Sequence, residues 1–173
     1  MTDVIDPGWR QALPAMIPLF GRVVASRRPP HIIVMRALWL SFASAIVWIG
    51  VVTVLLTSSS DATGSAVLGF AAIAVAAAVA AVGTVWARRR RARDDPHSND
   101  AGAYRSYFFV CIAFGELPAL AGFAFALAQS RTGTYFVGAA FTLIAFALVA
   151  PTRRFMAAQG PTLRFAFFTP PNA

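Results

Sequence analysis

Four long apolar runs separated by polar segments dominate this chain of 173 residues. The runs cover about residues 37–56, 65–87, 107–128 and 134–150, and none of them contains Lys, Arg or Asp. About 20 apolar residues in a helix cross a hydrocarbon core of about 30 Å, and lipid offers no partner for open backbone groups. The pattern therefore predicts an all-α, polytopic membrane protein whose four transmembrane helices form two hairpins.

The polar segments divide the chain into three parts. Residues 1–36 are predicted to be a cytoplasmic or interfacial N-terminal segment, residues 37–150 the transmembrane domain, and residues 151–173 a cytoplasmic tail. Apolar residues between Trp9 and Val24 recur at roughly helical spacing, which is typical of a helix lying on a membrane surface. Two prolines interrupt this stretch, so the interfacial helix is not expected to be continuous.

The charge distribution predicts how the helices are oriented. The 15 basic residues are all Arg, and only seven residues are acidic. All Arg residues but one lie before the first run, between the second and third, or after the fourth, and only Arg131 lies in another loop. By the positive-inside rule, both termini and the loop between the second and third runs are predicted to be cytoplasmic. Because the Arg residues border apolar runs instead of covering a polar face, nucleic acid is not an expected partner.

The clustered basic residues after the second run are Arg88, Arg89, Arg90, Arg91 and Arg93. They either only set the topology or also attract anionic lipid headgroups, at roughly 1 kcal/mol for each residue near the surface. Arg as the only basic residue type, together with abundant Ala, is typical of high-GC bacteria. The membrane is therefore predicted to be a bacterial cytoplasmic (inner) membrane.

Aromatic residues near both ends of the chain are candidate contacts for a partner. The tail carries Phe165, Phe167 and Phe168, followed by two prolines, and is either an interfacial anchor or a docking peptide. Trp9 begins the apolar stretch near the N-terminus and is the other candidate for docking.

No motif of a metal, cofactor or nucleophile site occurs along the chain. Cys111 is the only cysteine, and His31 and His97 lie far apart in polar or Pro-containing segments. The neighbouring acids Asp94 and Asp95 precede a proline in an Arg-rich loop, where they are predicted to form a turn with local charge pairing. We therefore expect no cofactor, no metal and no enzymatic activity.

Glu116 is the only ionisable acid or base inside any apolar run. It lies about 14 Å from the start of the third run, close to the expected bilayer midplane, where a charged and unpaired acid is costly. Within this chain the default is a neutral carboxyl that is hydrogen-bonded to a hydroxyl. The candidate hydroxyls are those of Ser41, Ser44, Thr53, Thr84 and Thr142. A cationic or polar group from another subunit is the alternative.

Pro118 lies two residues after Glu116 and removes a backbone hydrogen bond, which frees the carbonyl of Phe114. An open carbonyl beside a carboxyl is one way to build an ion or proton site, so Glu116, Pro118 and Phe114 are the candidate residues for such a site.

Small residues recur at helical spacing in the second and third runs. They are Gly69, Ala72, Ala76, Ala80 and Gly83 in the second run, and Gly115, Ala119, Gly122 and Ala126 in the third. Such stripes allow helices to approach closely. We expect the two stripes to match and the second and third helices to be direct neighbours.

The stretch AFGELPALAGFAFAL (residues 113–127) resembles the carboxylate helix of the rotary ATP synthase proteolipid, or c subunit, with its pattern A-x-x-E-x-x-A-x-x-G-x-x-x-A-L. The matching residues are Ala113, Glu116, Ala119, Gly122, Ala126 and Leu127. The resemblance covers about residues 65–130, less than half of the chain, and implies that Glu116 binds a proton or a sodium ion. The second run lacks the GxGxG stripe of that family, and the first and fourth runs have no counterpart in it. The whole chain is similar to four-span membrane proteins of high-GC bacteria.

Two functions remain open at this point. The first is a non-enzymatic accessory or assembly subunit of a larger inner-membrane complex, whether respiratory, ATP-synthesising or involved in envelope-lipid transport. Its partners would be the bilayer, anionic lipids, and other membrane subunits or further copies of itself. The second is a proton- or ion-coupled membrane protein in which Glu116 titrates.

Overall fold

A computed structural model describes residues 9–10, 12–13, 31–58, 64–93 and 101–152. The tail with Phe165, Phe167 and Phe168 and most of the predicted N-terminal interfacial segment lie outside the described residues, as does the side chain of Arg93. Predictions for those residues therefore stay predictions.

The described residues form four α-helices and no strand. The helices are α1 (His31–Thr57), α2 (Ala66–Arg93), α3 (Ala101–Gln129) and α4 (Thr132–Val149). Each contains a segment that is long and apolar enough to cross a membrane. The prediction of an all-α chain with four candidate membrane spans is therefore confirmed.

Three helices extend well past the apolar runs that predict them. Helix α1 begins at His31 instead of near residue 37, α2 continues through the Arg cluster to Arg93, and α3 already begins at Ala101. An apolar run marks only the part of a helix that lies in hydrocarbon. Arg is a good helix former with a long apolar stem, so helical structure continues into the polar region.

The chain falls into two compact units. The helical unit comprises Ala45–Pro96 and Tyr107–Leu148, and the terminal unit comprises Met1–Ser44, His97–Ser106 and Val149–Ala173. In the helical unit, large apolar side chains on all four helices point outward; examples are Leu55, Val67, Leu127 and Leu148. A contiguous outward-facing apolar surface is unusual for a soluble monomer and is what a lipid-facing helix presents.

Helix α4 is central to the packing of the helical unit. The buried Tyr135 of α4 donates a hydrogen bond from its hydroxyl to the carbonyl of Ile46 in α1. Its ring lies so close to Gly50 that a Cβ atom there would be 3.0 Å from Cε1 of Tyr135. A hydroxyl contact of 2.6 Å between Thr57 and Thr132 joins α1 and α4 again. Polar groups placed at small-residue contacts are typical of helix association in membranes.

The connection between α3 and α4 is only two residues long. Ser130 has a φ of 51°, and the amide of Arg131 donates to the carbonyl of Ala126 at 3.0 Å. This is the hydrogen-bond pattern of a Schellman motif, in which the left-handed residue is usually glycine. Gln129 and Arg131 donate to the carbonyls of Ser65 and Gly64 just before α2, so the start of α2 is tied to this turn.

We expect Ser130→Gly to raise the free energy of unfolding by up to about 1 kcal/mol, because a left-handed conformation is unfavourable for a residue with a Cβ atom. The thermal unfolding midpoint of the purified protein in detergent, followed by Trp fluorescence, measures this effect. The matched control is Ser106→Gly inside α3, which should lower stability because glycine is a poor residue for a helix interior. Shifts of the same sign in both variants would contradict the assignment of strain to Ser130.

Candidate functional site around Glu116

Glu116 lies in the middle of α3 and is half-buried. Phe109, Ala113, Leu120 and Leu127 are exposed and lie within about 60° of Glu116 around the helix axis, at roughly 100° for each residue. The carboxylate is therefore at the edge of an apolar stripe that faces away from the packed interior. In a membrane, this stripe faces either lipid or another protein.

No described residue supplies the hydroxyl partner that the sequence predicts for Glu116. Four of the five candidate hydroxyls donate to carbonyls of their own helix, in the pairs Ser41–Ala37, Ser44–Ser41, Thr53–Ile49 and Thr84–Ala80. The hydroxyl of Thr142 accepts the amide proton of Ala119 at 3.0 Å. Among the described residues, the Glu116 carboxylate has neither a hydrogen bond nor an ion pair. None of the five hydroxyls predicted as a partner is bonded to Glu116 in this part of the chain, and the predicted neutral state of the carboxyl stays a prediction.

The two other residues proposed for an ion site with Glu116 face different neighbours. The ring of Phe114 lies against α2, where a Cβ atom at Gly83 would be 2.5 Å from its Cδ1. The carbonyl of Pro118 lies against Gly138 of α4. Residues two apart in a helix point about 200° apart, so Phe114 and Pro118, which are only about 40° apart, both point away from Glu116. The Glu116 side chain is therefore apart from the side chains of Phe114 and Pro118, and the role proposed for the freed carbonyl of Phe114 stays a prediction.

Pro118 forms part of the contact between α3 and α4. Its carbonyl sits on Gly138, and the amide that follows it, that of Ala119, is bound by Thr142 of α4. Both α4 residues are on one helix face, four residues apart. The proline therefore has a packing role that the sequence did not indicate, since Gly138 and Thr142 belong to no predicted stripe.

The small-residue stripes do not match each other as predicted. Gly115 and Gly122 of α3 face Phe146 and Tyr135 of α4, and Ala119 and Ala126 are buried. Helices α2 and α3 are indeed direct neighbours. The ring of Phe114 in α3 lies against Gly83 of α2 and fills the space there. At Gly69 an added Cβ atom would first meet the methyl group of Thr134 in α4, at 2.8 Å, and then the Cβ atom of Phe125 in α3, at 3.5 Å. The stripe of α3 faces α4.

The Arg cluster includes two contacts between cations and rings. The guanidinium of Arg91 lies 5.2 Å from the ring centre of Tyr107 in α3, and that of Arg90 lies 5.3 Å from the ring centre of Trp86 in α2 itself. Arg88, Arg89 and Arg90 are exposed, whereas Arg91 is half-buried. The cluster is thus helical and places its cations on different sides of α2.

Arg36, in the terminal unit, was expected only to flank the first span. It is 1% exposed, and its Nε donates to the carbonyl of Pro151 at 3.3 Å, two residues beyond the end of α4. Its guanidinium lies 5.1 Å from the ring centre of Trp9, and that ring meets Trp39 edge-on at 5.6 Å. Part of the Trp9 ring is therefore already covered within the chain, which does not favour Trp9 as a docking residue. The sequence feature that could have indicated this burial is the position of Arg36 between apolar residues of a helix.

The fold places this chain among multi-pass α-helical membrane proteins. No group of three or more His, Cys, Asp or Glu side chains that could hold a metal occurs among the described residues. Comparisons with protein-family models, with curated proteins and with solved structures find no match to this chain. The resemblance to the ATP synthase proteolipid therefore rests on the matching residues of α3 and the character of α2 alone.

Proposed function

We propose that this protein is a non-enzymatic accessory or assembly subunit of a larger complex in the bacterial inner membrane, with both termini in the cytoplasm. The observation that carries the proposal is Glu116. Its carboxylate is half-buried, lies on an apolar face of α3 and has no partner among the described residues. A polar or cationic group of another subunit completes the site.

The energetic argument is that an unpaired acid at the centre of a membrane helix is costly. Insertion scales place this cost at about 3 kcal/mol, and such residues nearly always face a partner or a water-filled cavity. The five candidate hydroxyls are engaged elsewhere, and the apolar neighbours of Glu116 on the stripe offer no hydrogen bond. A partner chain that supplies a donor therefore gains affinity and specificity at one defined position.

The test is purification of Glu116→Gln from its native membrane in mild detergent, followed by mass spectrometry of the proteins that accompany it. We expect the wild-type chain to retain its partners. The amount of partner that co-purifies with Glu116→Gln should fall at least about tenfold, because the amide cannot carry the charge. Leu143→Gln is the matched control, since it places the same amide on the exposed face of α4. It should retain the partners.

Two results would overturn this proposal. One is a wild-type chain that purifies alone or only with further copies of itself. The other is equal loss of partners in Glu116→Gln and Leu143→Gln, which would assign the effect to any amide in lipid.

The alternative is a proton- or ion-coupled protein in which Glu116 titrates. The partial exposure of the carboxylate favours it, since a group that exchanges protons has to be reached from outside the helix packing. Under this alternative, Glu116→Gln abolishes coupled activity and leaves expression and assembly intact. Selective, pH-dependent labelling of Glu116 by a hydrophobic carbodiimide supports the alternative, and absence of labelling at every pH supports a paired carboxylate.

A further inference from the structure

We propose that one transmembrane helix of a different protein packs along the seam between α2 and α3 and places a Lys or Arg side chain on Glu116. This inference rests on the proposed function, because it names the group that completes the Glu116 site. Two separate features carry it. One is an apolar groove between α2 and α3, and the other is a carboxylate that lies at the depth of this groove and has no partner among the described residues.

The groove is an open cavity of about 540 Å³ in the helical unit. Val75 of α2 and Leu120 of α3 are 64% and 49% exposed, so the groove opens to the outside of the helices. Small side chains recessed between larger ones let another helix approach closely, and close packing of this kind drives helix association in lipid. Every side chain that lines the groove is apolar, among them those of Ala72, Val75, Val79, Leu117, Leu120 and Ala121.

Glu116 lies at the depth of one end of the groove. Gly69 of α2 is level with Phe125 of α3, since a Cβ atom added at Gly69 would be 3.5 Å from the Cβ atom of Phe125. The two helices run in opposite directions, so Val79, ten residues later in α2, is level with Gly115, ten residues earlier in α3. The carboxylate and the groove therefore differ in their direction around α3 and not in their depth.

Leu120 connects the groove and the carboxylate on the surface of α3. It lines the groove and lies about 40° from Glu116 around the helix axis, whereas Leu117, also in the groove, lies about 100° from Glu116. A helix with its side chains is about 10–12 Å across. One helix that lies over Leu120 therefore reaches the groove on one flank and Glu116 on the other.

Charge distinguishes a helix of a different protein from the other possible occupants. The headgroup of an anionic lipid lies outside the hydrocarbon core and has the same sign of charge as Glu116. A second copy of this chain has no Lys or Arg in any apolar run, and Arg105 of its α3 is eleven residues from Glu116, or about 16 Å along the helix. Ionisable residues within membranes usually pair with one another, so a basic residue in the span of another protein is the matching partner.

The test uses the full-length chain in phosphatidylcholine bicelles and two fluorescent transmembrane peptides of about 20 Leu and Ala residues. One peptide carries a central Lys and the other a central Gln. We expect the Lys peptide to bind about tenfold more tightly, a factor near the upper end for polar pairs between membrane helices. Glu116→Gln should remove this difference, and Glu116→Asp, which keeps the charge, should retain most of it.

Filling the groove tests where the helix lies. Ala72→Phe should weaken the binding of both peptides, whereas Ala81→Phe, on another exposed side of α2, should not. Ala71→Phe fills the same groove from a more exposed position and replaces Ala72→Phe if the unfolding midpoint shows that variant to be unstable. Equal effects inside and outside the groove would overturn the proposal. So would a wild-type dimer that the groove variant dissociates, since a second copy would then occupy the groove.

The peptide experiment fails separately from the test of the proposed function. Equal binding of the Lys and Gln peptides to the wild-type chain would overturn the basic partner helix. If Glu116→Gln still lost its native partners, the proposed function would stand. A wild-type chain that purifies alone and binds neither peptide would overturn both.

Discussion

Gly138→Ala should lower the free energy of unfolding by about 2–3 kcal/mol, the cost of overpacking a closely packed contact. A Cβ atom at this position would overlap the carbonyl oxygen of Pro118 and come within 3.3 Å of Cα of Ala119. Both are backbone atoms of α3, which cannot rotate away as a side chain can. Relief therefore requires α3 and α4 to separate, and separation stretches the bond between the Ala119 amide and Thr142.

The same substitution at Gly133 is the matched control. It lies in the same helix, and a Cβ atom there would meet nothing within 4 Å. Gly133→Ala should leave stability unchanged or raise it slightly, because alanine is the better helix former. The unfolding midpoint in detergent, followed by the fluorescence of the four Trp residues, compares the two variants. Equal midpoints would show that α3 and α4 are not in contact through Pro118.

Arg36→Ala should lower the free energy of unfolding by about 2–4 kcal/mol. The substitution removes a buried charged donor, leaves the buried carbonyl of Pro151 without it, and takes away the cation that lies over Trp9. A cation near the C-terminal end of α4 also favours the helix dipole, which adds a smaller stabilising effect. The fluorescence of Trp9 and Trp39 should change along with the unfolding midpoint.

Arg89→Ala controls for the loss of one positive charge from the predicted cytoplasmic side. Arg89 is exposed near the end of α2, so its replacement should change stability by no more than about 0.5 kcal/mol. If both variants unfold at the wild-type midpoint, Arg36 acts only through the positive-inside rule. If both are destabilised alike, net charge and not burial is responsible.

The number and the approximate extent of the four helices could be predicted from the sequence because lipid leaves few options. A run such as residues 65–87 without charges has to satisfy its own backbone, and only a helix does so. The ends of α1, α2 and α3 were less predictable. Residues beyond the hydrocarbon, such as Arg91 or Arg105, are helical for reasons of propensity and packing that hydropathy does not report.

The choice of neighbours could not be predicted in the same way. In a helix that is apolar all round, no face is marked as the interior. The glycines of α2 indicate close approach, but they do not indicate that the ring of Phe114 fills the space at Gly83, or that Thr134 of α4 lies nearest to Gly69. Gly138 and Thr142 carry no pattern of their own and become recognisable only when Pro118 is placed opposite them.

The candidate site shows the same limit. The sequence singles out Glu116 because it is the only acid in an apolar run, and this requires no knowledge of the fold. Whether a hydroxyl reaches it depends on side-chain directions, and hydroxyls in helices commonly bond to the carbonyl one turn earlier, as Thr53 and Thr84 do. Arg36 was missed because a flanking Arg is normally solvated, and its burial depends on Trp9 and Pro151, which are distant in sequence.

The two-residue connection at Ser130 and Arg131 has a mechanical consequence. The Arg131 amide is hydrogen-bonded to the carbonyl of Ala126, so the short connection holds the end of α3 close to the start of α4. The two helices therefore cannot slide past each other at this end. Any rearrangement between them has to be a scissor motion that pivots at the turn, with its amplitude growing toward Tyr107 and Leu148. Glu116 lies partway along α3, slightly farther from the turn than the contact at Pro118. A partner that binds this carboxylate would therefore fix α3 at a point away from the pivot, and any opening of the pair would then be a movement of α4.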